Sequence, residues 1–212
     1  MRDTDTAPLG DPIPDRPDSQ SLFETASEQG GYFTAAQARA AGFSWALLTH
    51  HAKTGRFVRV RRGLYRLREY PSFPREEVLA AWLAVGKDAA VVSHDTALDL
   101  LGLSDVVPDA VHLTVPRSHR YRAPIPGVRI HTATVPPGPG ERVVRDGVPV
   151  TAPVRTILDA AAAGTAPEQI ELAIRQAIGR GIATPDELRR GARRRGWRVA
   201  GLIDGALAAA AA

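Results

Sequence analysis

The sequence has no cysteine, a single methionine and only two lysines, Lys53 and Lys87, among its 212 residues. Without cysteine the chain can form neither disulfide bonds nor thiolate metal sites, and thiol catalysis is excluded. It has no apolar run long enough to cross a bilayer, and no hydrophobic stretch of a signal peptide follows Met1. From these absences we expect a cytoplasmic protein without a membrane partner.

Arginine supplies almost all of the positive charge: the chain has 25 arginines, a formal net charge of +4 and a sequence pI of about 9.9. Part of the excess over lysine is typical of a GC-rich genome. The acidic residues, however, collect in the first thirty positions and in scattered predicted helices, which leaves other segments strongly basic. Local basicity of this kind favours a nucleic-acid partner.

The segment from Thr34 to Lys53 predicts a helix-turn-helix. Thr34 precedes Gln37 by three residues, which is a capping box that begins a helix, and Gly42 ends that helix in a turn. Ser44 can then cap a second helix, which carries a buried stripe of leucine and alanine and can enter the major groove of DNA. The candidate groove-contacting residues are Ser44, Trp45, Thr49, His50 and Lys53.

An arginine-rich β-hairpin follows, because the segment from Lys53 to Arg68 contains six arginines and no acidic residue. Valine alternates with arginine over 58–61, which predicts a strand with one packed face and one charged face, and the turn is expected near 61–63. Arginine suits this position because its planar guanidinium donates two hydrogen bonds to phosphate oxygens or to a guanine edge. The candidate phosphate or minor-groove contacts are Arg56, Arg59, Arg61, Arg62 and Arg66.

These segments predict an α+β protein with an N-terminal winged helix-turn-helix and a mixed α/β C-terminal domain. Prolines at 70–74 mark the boundary, because two prolines so close interrupt a strand or a helix. The predicted parts are a disordered segment at 1–20, the winged helix-turn-helix domain at 21–69, the α/β domain at 75–200 and an alanine-rich tail at 201–212. The first helix of the winged domain is predicted at Ser21–Ser27, with a capping box from Ser21 to Glu24.

Periodicity in the second domain predicts short strands between amphipathic helices. The predicted strands are 89–93, 111–115, 128–131 and 143–150, and the predicted helices are 75–85, 94–101, 153–163, 167–180 and 185–195. Arg155 and Asp159 lie four residues apart on one of these helices and can form an ion pair.

Five titratable residues of the second domain could converge: His94, Asp95, Asp99, His112 and His131. A histidine beside a carboxylate can bind a metal ion or transfer a proton. Because His112 and His131 have alternating apolar neighbours in predicted strands, we favour local hydrogen bonding for them. We predict no catalytic residue, no metal, no cofactor and no enzymatic activity.

Two further basic clusters could lengthen a DNA footprint. The first lies in a loop after a predicted strand and contains Arg117, His119, Arg120 and Arg122. The second lies on the last well-defined helix and its exit and contains Arg189, Arg190, Arg193, Arg194, Arg195 and Arg198. Each phosphate contact that they add would steepen the salt dependence of binding by about one unit of logarithmic slope. The alternative is a solvated helix face.

Several stretches resemble the AbiEi family of antitoxins from type IV toxin–antitoxin systems. They are Gly31–Gly42, Arg59–Arg66, Ser93–His94, Leu101–Leu103 and Arg155–Asp159, and the resemblance extends over residues 21–190. It implies a transcriptional autorepressor whose winged helix binds inverted repeats upstream of its own operon. It also implies a C-terminal domain that counteracts a nucleotidyltransferase toxin without forming a stable complex with it.

We therefore expect a sequence-specific repressor that binds double-stranded DNA. It is expected to be a monomer or weak dimer in solution and to pair on an inverted-repeat operator. Two alternatives stay open. The second domain could be an enzyme that acts on the toxin or on a nucleotide through the segment 94–99, or the winged helix could be a protein-interaction module.

Overall fold

The computed structural model of the protein describes residues 16–119 and 123–211. Most of the segment predicted to be disordered, 1–20, lies outside the described residues, as do two of the predicted DNA-contacting residues, Arg120 and Arg122. Among the residues that are described, no helix combines the length and the apolar composition that crossing a membrane requires.

The chain divides into an N-terminal unit, Met1–Glu76, and a C-terminal unit, Glu77–Ala212. The elements of the N-terminal unit are α1 (Ser19–Ser27), β1 (Tyr32–Thr34), α2 (Ala35–Ala40), α3 (Trp45–Lys53), β2 (Phe57–Arg61) and β3 (Leu64–Leu67). The strands form an antiparallel sheet in the order β1-β3-β2. A helix-turn-helix followed by a β2–β3 hairpin is the predicted winged topology. Strand β1 is not predicted from the sequence, because its three residues are too few for a periodic pattern.

The helix-turn-helix begins and turns at the residues that the sequence indicates. Thr34 Oγ1 accepts a hydrogen bond from Gln37 N at 3.2 Å, and Thr34 N donates to Gln37 Oε1 at 2.8 Å, which completes the predicted capping box. Gly42 adopts a φ of +82°, a conformation that glycine reaches without the steric cost of a Cβ. Ser44 Oγ caps α3 by accepting from Leu47 N at 3.1 Å.

Helix α1 begins two residues earlier than predicted. The Asp18 carboxylate caps it by accepting hydrogen bonds from Gln20 N and Ser21 N, both at 3.0 Å. One carboxylate oxygen thus serves two of the backbone donors that a helix start leaves without partners. The predicted capping box from Ser21 to Glu24 is therefore wrong, since both residues lie inside the helix.

Aromatic side chains form the centre of the N-terminal unit. Phe33 of β1 packs edge-on against Phe57 of β2, with ring centroids 4.9 Å apart, and stacks on Tyr65 of β3 at 5.8 Å. Phe43, in the turn between the two helices, lies 5.9 Å from Phe57. Leu48 of α3 is fully buried in the same core. Because Leu48 points inward, the opposite face of α3 is directed to solvent.

The C-terminal unit is built on a mixed five-stranded sheet. The elements that follow the winged region are α4 (Glu76–Val85), β4 (Val91–Val92), α5 (His94–Leu100), β5 (Val111–Pro116), β6 (Val128–Ala133), β7 (Arg142–Arg145), β8 (Val148–Thr151), α6 (Pro153–Ala163), α7 (Pro167–Gly179), α8 (Pro185–Arg193) and α9 (Trp197–Ala211). The strand order is β6-β5-β4-β8-β7. The pairs β5–β6 and β4–β8 are parallel, and β4–β5 and β7–β8 are antiparallel. The predicted α/β character of this unit is confirmed.

Two segments of the C-terminal unit differ from their predictions. Residues 143–150, predicted as one strand, form the β7–β8 hairpin, with Asp146 and Gly147 at positive φ in its turn. An Asp-Gly pair is a strong hairpin signal, which the valines on both sides of it obscured. The predicted alanine-rich tail, 201–212, is instead largely part of α9, and its Ile203 and Leu207 are buried.

Candidate functional site

The solvent-directed face of α3 carries the residues predicted to contact DNA. Trp45 has 59% of its surface exposed, an unusual exposure for so large an apolar side chain. Thr49 Oγ1 donates to Trp45 O at 2.9 Å, so this hydroxyl, like that of Ser44, is hydrogen-bonded to backbone of the same helix. His50 and Lys53 are exposed. All five predicted groove residues are thus exposed on α3 and its N-cap, and we call this set the α3 face (Ser44, Trp45, Thr49, His50 and Lys53).

The hairpin beside this face is basic, but its strand does not alternate as predicted. The pairing of β2 with β3 shifts register between Arg59 and Arg61. As a result Arg59 and Val60 are both exposed, whereas strict alternation would have placed Val60 inside. Arg62 is exposed in the turn, and Arg61 is half-buried.

Arg56, which precedes β2, is exposed and lies 5.8 Å above the ring of Phe57. Arg66 is held within the N-terminal unit instead. Its Nη2 donates to Tyr70 O and Pro71 O, both at 2.9 Å, and lies 3.4 Å from Glu76 Oε2. Only 12% of the Arg66 side chain is exposed. Its guanidinium therefore binds the C-terminal residues of the N-terminal unit and is not available at the surface.

The predicted basic clusters of the C-terminal unit likewise contain both exposed arginines and arginines that are paired with carboxylates. Arg117, Arg190, Arg193, Arg194 and Arg198 are exposed. Arg189 lies 3.7 Å from Asp186 and 3.6 Å from Asp204. Arg195 pairs with the buried Asp159. The charge of the cluster on α8 and its exit is therefore partly neutralised by these carboxylates. Arg195 takes part in an internal ion pair and is not one of the exposed members.

Asp159 is the centre of an ion-pair network that includes the predicted Arg155–Asp159 pair. It is 4% exposed and accepts from Arg155 Nε at 2.8 Å, and it also pairs with Arg195. Arg155 reaches Glu141 as well, at 3.2 Å. Burial works against the charge of Arg155, but the carboxylates of Asp159 and Glu141 raise its pKa. The network connects α6 to the segment after α8 and to the residue that precedes β7.

This network borders a large open cleft of the C-terminal unit, with a volume of about 1320 Å³. Charged and imidazole side chains account for much of its lining: His94, His131, Arg155, Asp159, Arg190 and Arg194. The sequence did not predict this cleft, because its walls come from segments that are distant in the chain.

Three histidines meet beside this cleft. In the parallel β5–β6 pair, Thr114 lies beside His131, and His112 is two residues earlier on the same face as Thr114. His94, at the start of α5, stacks on His131 with ring centroids 3.5 Å apart and planes inclined by 14°. One ligand nitrogen from each of the three rings lies within 4.8 Å of the others. The structure therefore brings together three of the five residues that could converge.

Burial is the largest cause of the lowered pKa of these three imidazoles. It lowers the pKa of His94 to about 2 and that of His131 to about 4, with neighbouring imidazoles adding to the effect. The pKa of His112 is lowered as well, mainly by burial and against the pull of Asp95. All three rings are neutral near pH 7, and each keeps one nitrogen lone pair.

The N-terminal unit therefore has the form of a winged helix-turn-helix domain with a basic wing. Its sequence also matches a known family: residues 20–68 fit the AbiEi_4 family, described as "Transcriptional regulator, AbiEi antitoxin". The predicted resemblance to the AbiEi antitoxins is confirmed over this segment, which extends from the second residue of α1 to the first residue after β3.

Among solved structures, the chain is similar to the RV2827C protein from Mycobacterium tuberculosis, with a TM-score of 0.58 and 16% sequence identity. The similarity covers 89% of this chain and 76% of that one. At this identity the likeness shows the fold alone, and it extends over both units. A comparison with curated proteins gave no match.

Proposed function

We propose that the protein is a sequence-specific DNA-binding repressor that acts as the antitoxin of a type IV toxin–antitoxin system. The observation that carries the proposal is the exposed α3 face beside a basic hairpin, in the segment that matches a family of transcriptional regulators. We further propose that it represses its own operon and counteracts a nucleotidyltransferase toxin without forming a stable complex with it.

In this mechanism α3 enters the major groove and the hairpin follows the phosphate backbone or the minor groove. Trp45, His50 and Lys53 are the exposed side chains of the α3 face whose polar or aromatic groups are not hydrogen-bonded to the helix backbone. They are the proposed base contacts, and Ser44 positions the helix as its cap. Arg56, Arg59, Arg61 and Arg62 are the proposed phosphate contacts. Arg66 is left out of this set, because its guanidinium is engaged inside the unit.

Occupancy of the operator, and not catalysis, is the proposed means of repression. Winged and helix-turn-helix regulators commonly place two copies of the recognition helix on adjacent half-sites, about one helical turn apart. An inverted-repeat operator would therefore carry two copies of this chain.

The test is binding of the full chain to its own upstream DNA, followed by fluorescence anisotropy across a salt series, with a scrambled duplex of equal length for comparison. We expect a preference for the native sequence that persists at moderate salt. The triple variant Arg59→Ala, Arg61→Ala, Arg62→Ala should lose about 10-fold or more in affinity. It should also reduce the salt slope by up to about three units, because each phosphate contact contributes about one.

The matched control is the triple variant Arg142→Ala, Arg145→Ala, Arg175→Ala, which removes the same charge from exposed positions of the C-terminal unit. It should leave both the affinity and the slope nearly unchanged. Equal losses in the two variants would mean that net charge alone drives binding. Equal binding to native and scrambled DNA would contradict a sequence-specific repressor, and no binding at all would favour a protein-interaction role for the winged unit.

The antitoxin role is tested separately, by co-expressing the chain with a nucleotidyltransferase toxin encoded beside it and measuring growth. Restored growth is expected for the wild type and also for the Arg59, Arg61 and Arg62 variant, because neutralisation is assigned to the other unit. Continued growth arrest with the wild type would contradict the antitoxin role while leaving the repressor role standing.

A further inference from the structure

Two of the converging histidines, His112 and His131, have ring nitrogens that lack the local hydrogen bonds expected for them from the sequence. Both ring nitrogens of His112, and Nε2 of His131, are buried without a hydrogen-bond partner among the described residues. His112 is only 2% exposed. The carboxylate of Asp109 lies 3.8 Å from its Nε2, which is beyond hydrogen-bond length. Buried polar atoms in folded proteins are nearly always satisfied, so these nitrogens indicate a missing partner.

His94 is oriented in the way that metal-binding histidines usually are. Its Nδ1 lies 2.8 Å from Ser93 Oγ, which in turn accepts a hydrogen bond from Thr114 Oγ1 at 2.8 Å. An Nδ1–H that donates to Ser93 leaves the lone pair on Nε2 available, and an outer hydrogen bond of this kind fixes the ring of a metal ligand. Ser93 is the N-cap residue of α5, yet its hydroxyl makes no capping bond, because it is engaged with His94 and Thr114.

The backbone at His94 has a φ of +53°, one of three non-glycine residues in the described chain with a positive φ. A conformation of this kind is costly for a residue with a side chain, and the surrounding structure must hold it in place. In this conformation the imidazole of His94 stacks on the ring of His131. The histidine at the start of α5 thereby joins those of β5 and β6 in one cluster.

We propose that His94, His112 and His131 bind one divalent transition-metal ion, with Zn²⁺ the best suited. This inference departs from our sequence prediction of no metal and goes beyond the proposed repressor function. Neutral imidazole is a common ligand of Zn²⁺, and three imidazoles form a set that leaves a fourth coordination position for another ligand. Because His94 and His131 also line the open cleft, that position is accessible from solvent.

At least one ring must rotate before the three histidines can hold a tetrahedral ion. With Zn–N bonds of about 2.1 Å, ligand nitrogens lie roughly 3.4 Å apart, whereas here they lie within 4.8 Å of one another. The stacked rings of His94 and His131 must also diverge, since a lone pair lies in the plane of its ring. His131 is half-buried and lines the cleft, so we expect its ring to be the one that rotates.

Charges of both signs surround the cluster. The carboxylates of Asp95 and Asp159 oppose the lowering of the His131 pKa, and those of Asp95 and Asp109 oppose the lowering of the His112 pKa. Arg129 opposes them at both rings, and Arg155 and Arg195 lower the pKa of His94. Since both arginines beside His94 pair with Asp159, part of their charge is already compensated.

The test uses the full chain without an affinity tag, stripped of metal by a chelator that is then removed by dialysis. We expect calorimetric titration with ZnCl₂ to show one ion per chain. Co²⁺ should give the visible absorption of a low-coordinate ion. Saturating Zn²⁺ should raise the Tm, because the ion binds the folded state. Mg²⁺ should have neither effect, since it prefers oxygen ligands.

Two variants and one control assign the site. His112→Asn and His131→Asn should each weaken Zn²⁺ binding about 10-fold or more and remove the Zn²⁺-dependent rise in Tm. His119→Asn, in the same unit but outside the cluster, should bind as the wild type does. If the buried His112→Asn variant does not fold by circular dichroism, the half-buried His131→Asn variant decides. Absence of Zn²⁺ binding by the wild type would overturn the proposal, as would unchanged binding by His131→Asn.

Discussion

At the scale of single residues, Asp159 shows how a buried charge organises the C-terminal unit. One carboxylate serves two guanidiniums, those of Arg155 and Arg195, and it is almost completely shielded from water. Removal of one partner of a buried ion pair leaves the other charges without compensation, which is far more costly than loss of an exposed pair. The sequence indicated the Arg155 pair by its spacing, but nothing in it pointed to Arg195.

We predict that Asp159→Ala lowers the free energy of unfolding by about 3 kcal/mol, because it leaves two partly buried arginines without their common partner. Urea unfolding followed by circular dichroism measures this loss. Asp186→Ala is the matched control, since Asp186 forms a 3.7 Å pair with Arg189 and is 90% exposed. It should cost less than about 0.5 kcal/mol. Equal effects at the two positions would show that the network contributes no more than a surface pair.

At the scale of elements, the sequence predicts best where the signal is local. Two helix starts follow from a hydroxyl and a polar side chain three residues apart, at the Thr34 and Thr184 caps, whereas the same spacing at Ser21 misplaces the start of α1. The hairpin at 142–151 was missed although an Asp-Gly pair was visible, because the valines around it suggested one continuous strand.

Features that depend on tertiary packing could not be predicted. Arg66 alternates in the sequence like the exposed arginines near it, yet the chain returns at Tyr70 and supplies carbonyl acceptors for its guanidinium. The histidine cluster likewise depends on strand register: only the pairing of Thr114 with His131 brings His112 and His131 to one face. The hydrophobic pattern of each strand does not determine which residue of β5 pairs with which residue of β6.

Helix α9 gives a prediction at this scale, because its sequence suggested a featureless tail. Ile203 is fully buried within it, whereas its neighbour Leu202 is only half-buried. Ile203→Ala should lower the free energy of unfolding by about 3 kcal/mol, through lost burial and the cavity left behind. Leu202→Ala should cost less than about half of that, in the same urea experiment. Similar small losses at both positions would mean that α9 is a loosely attached tail.

At the scale of the whole molecule, each chain has one helix α3, so the inverted repeat of the proposed mechanism would need two chains. Two half-sites on the same side of the duplex are separated by about one helical turn of 10 bp. We predict two chains per native operator and one per isolated half-site, counted by native mass spectrometry or by light scattering of the separated complex.

Spacing of the half-sites then distinguishes coupled from independent binding. Insertion of about 5 bp moves the second half-site to the opposite side of the duplex, and insertion of about 10 bp returns it to the original side. If the two chains bind as a pair, the shorter insertion should abolish cooperative binding and the longer one should restore much of it. Anisotropy titrations on the three duplexes measure the difference. Cooperativity that is insensitive to both insertions would contradict a paired complex, and a single chain on the native operator would contradict the inverted repeat itself.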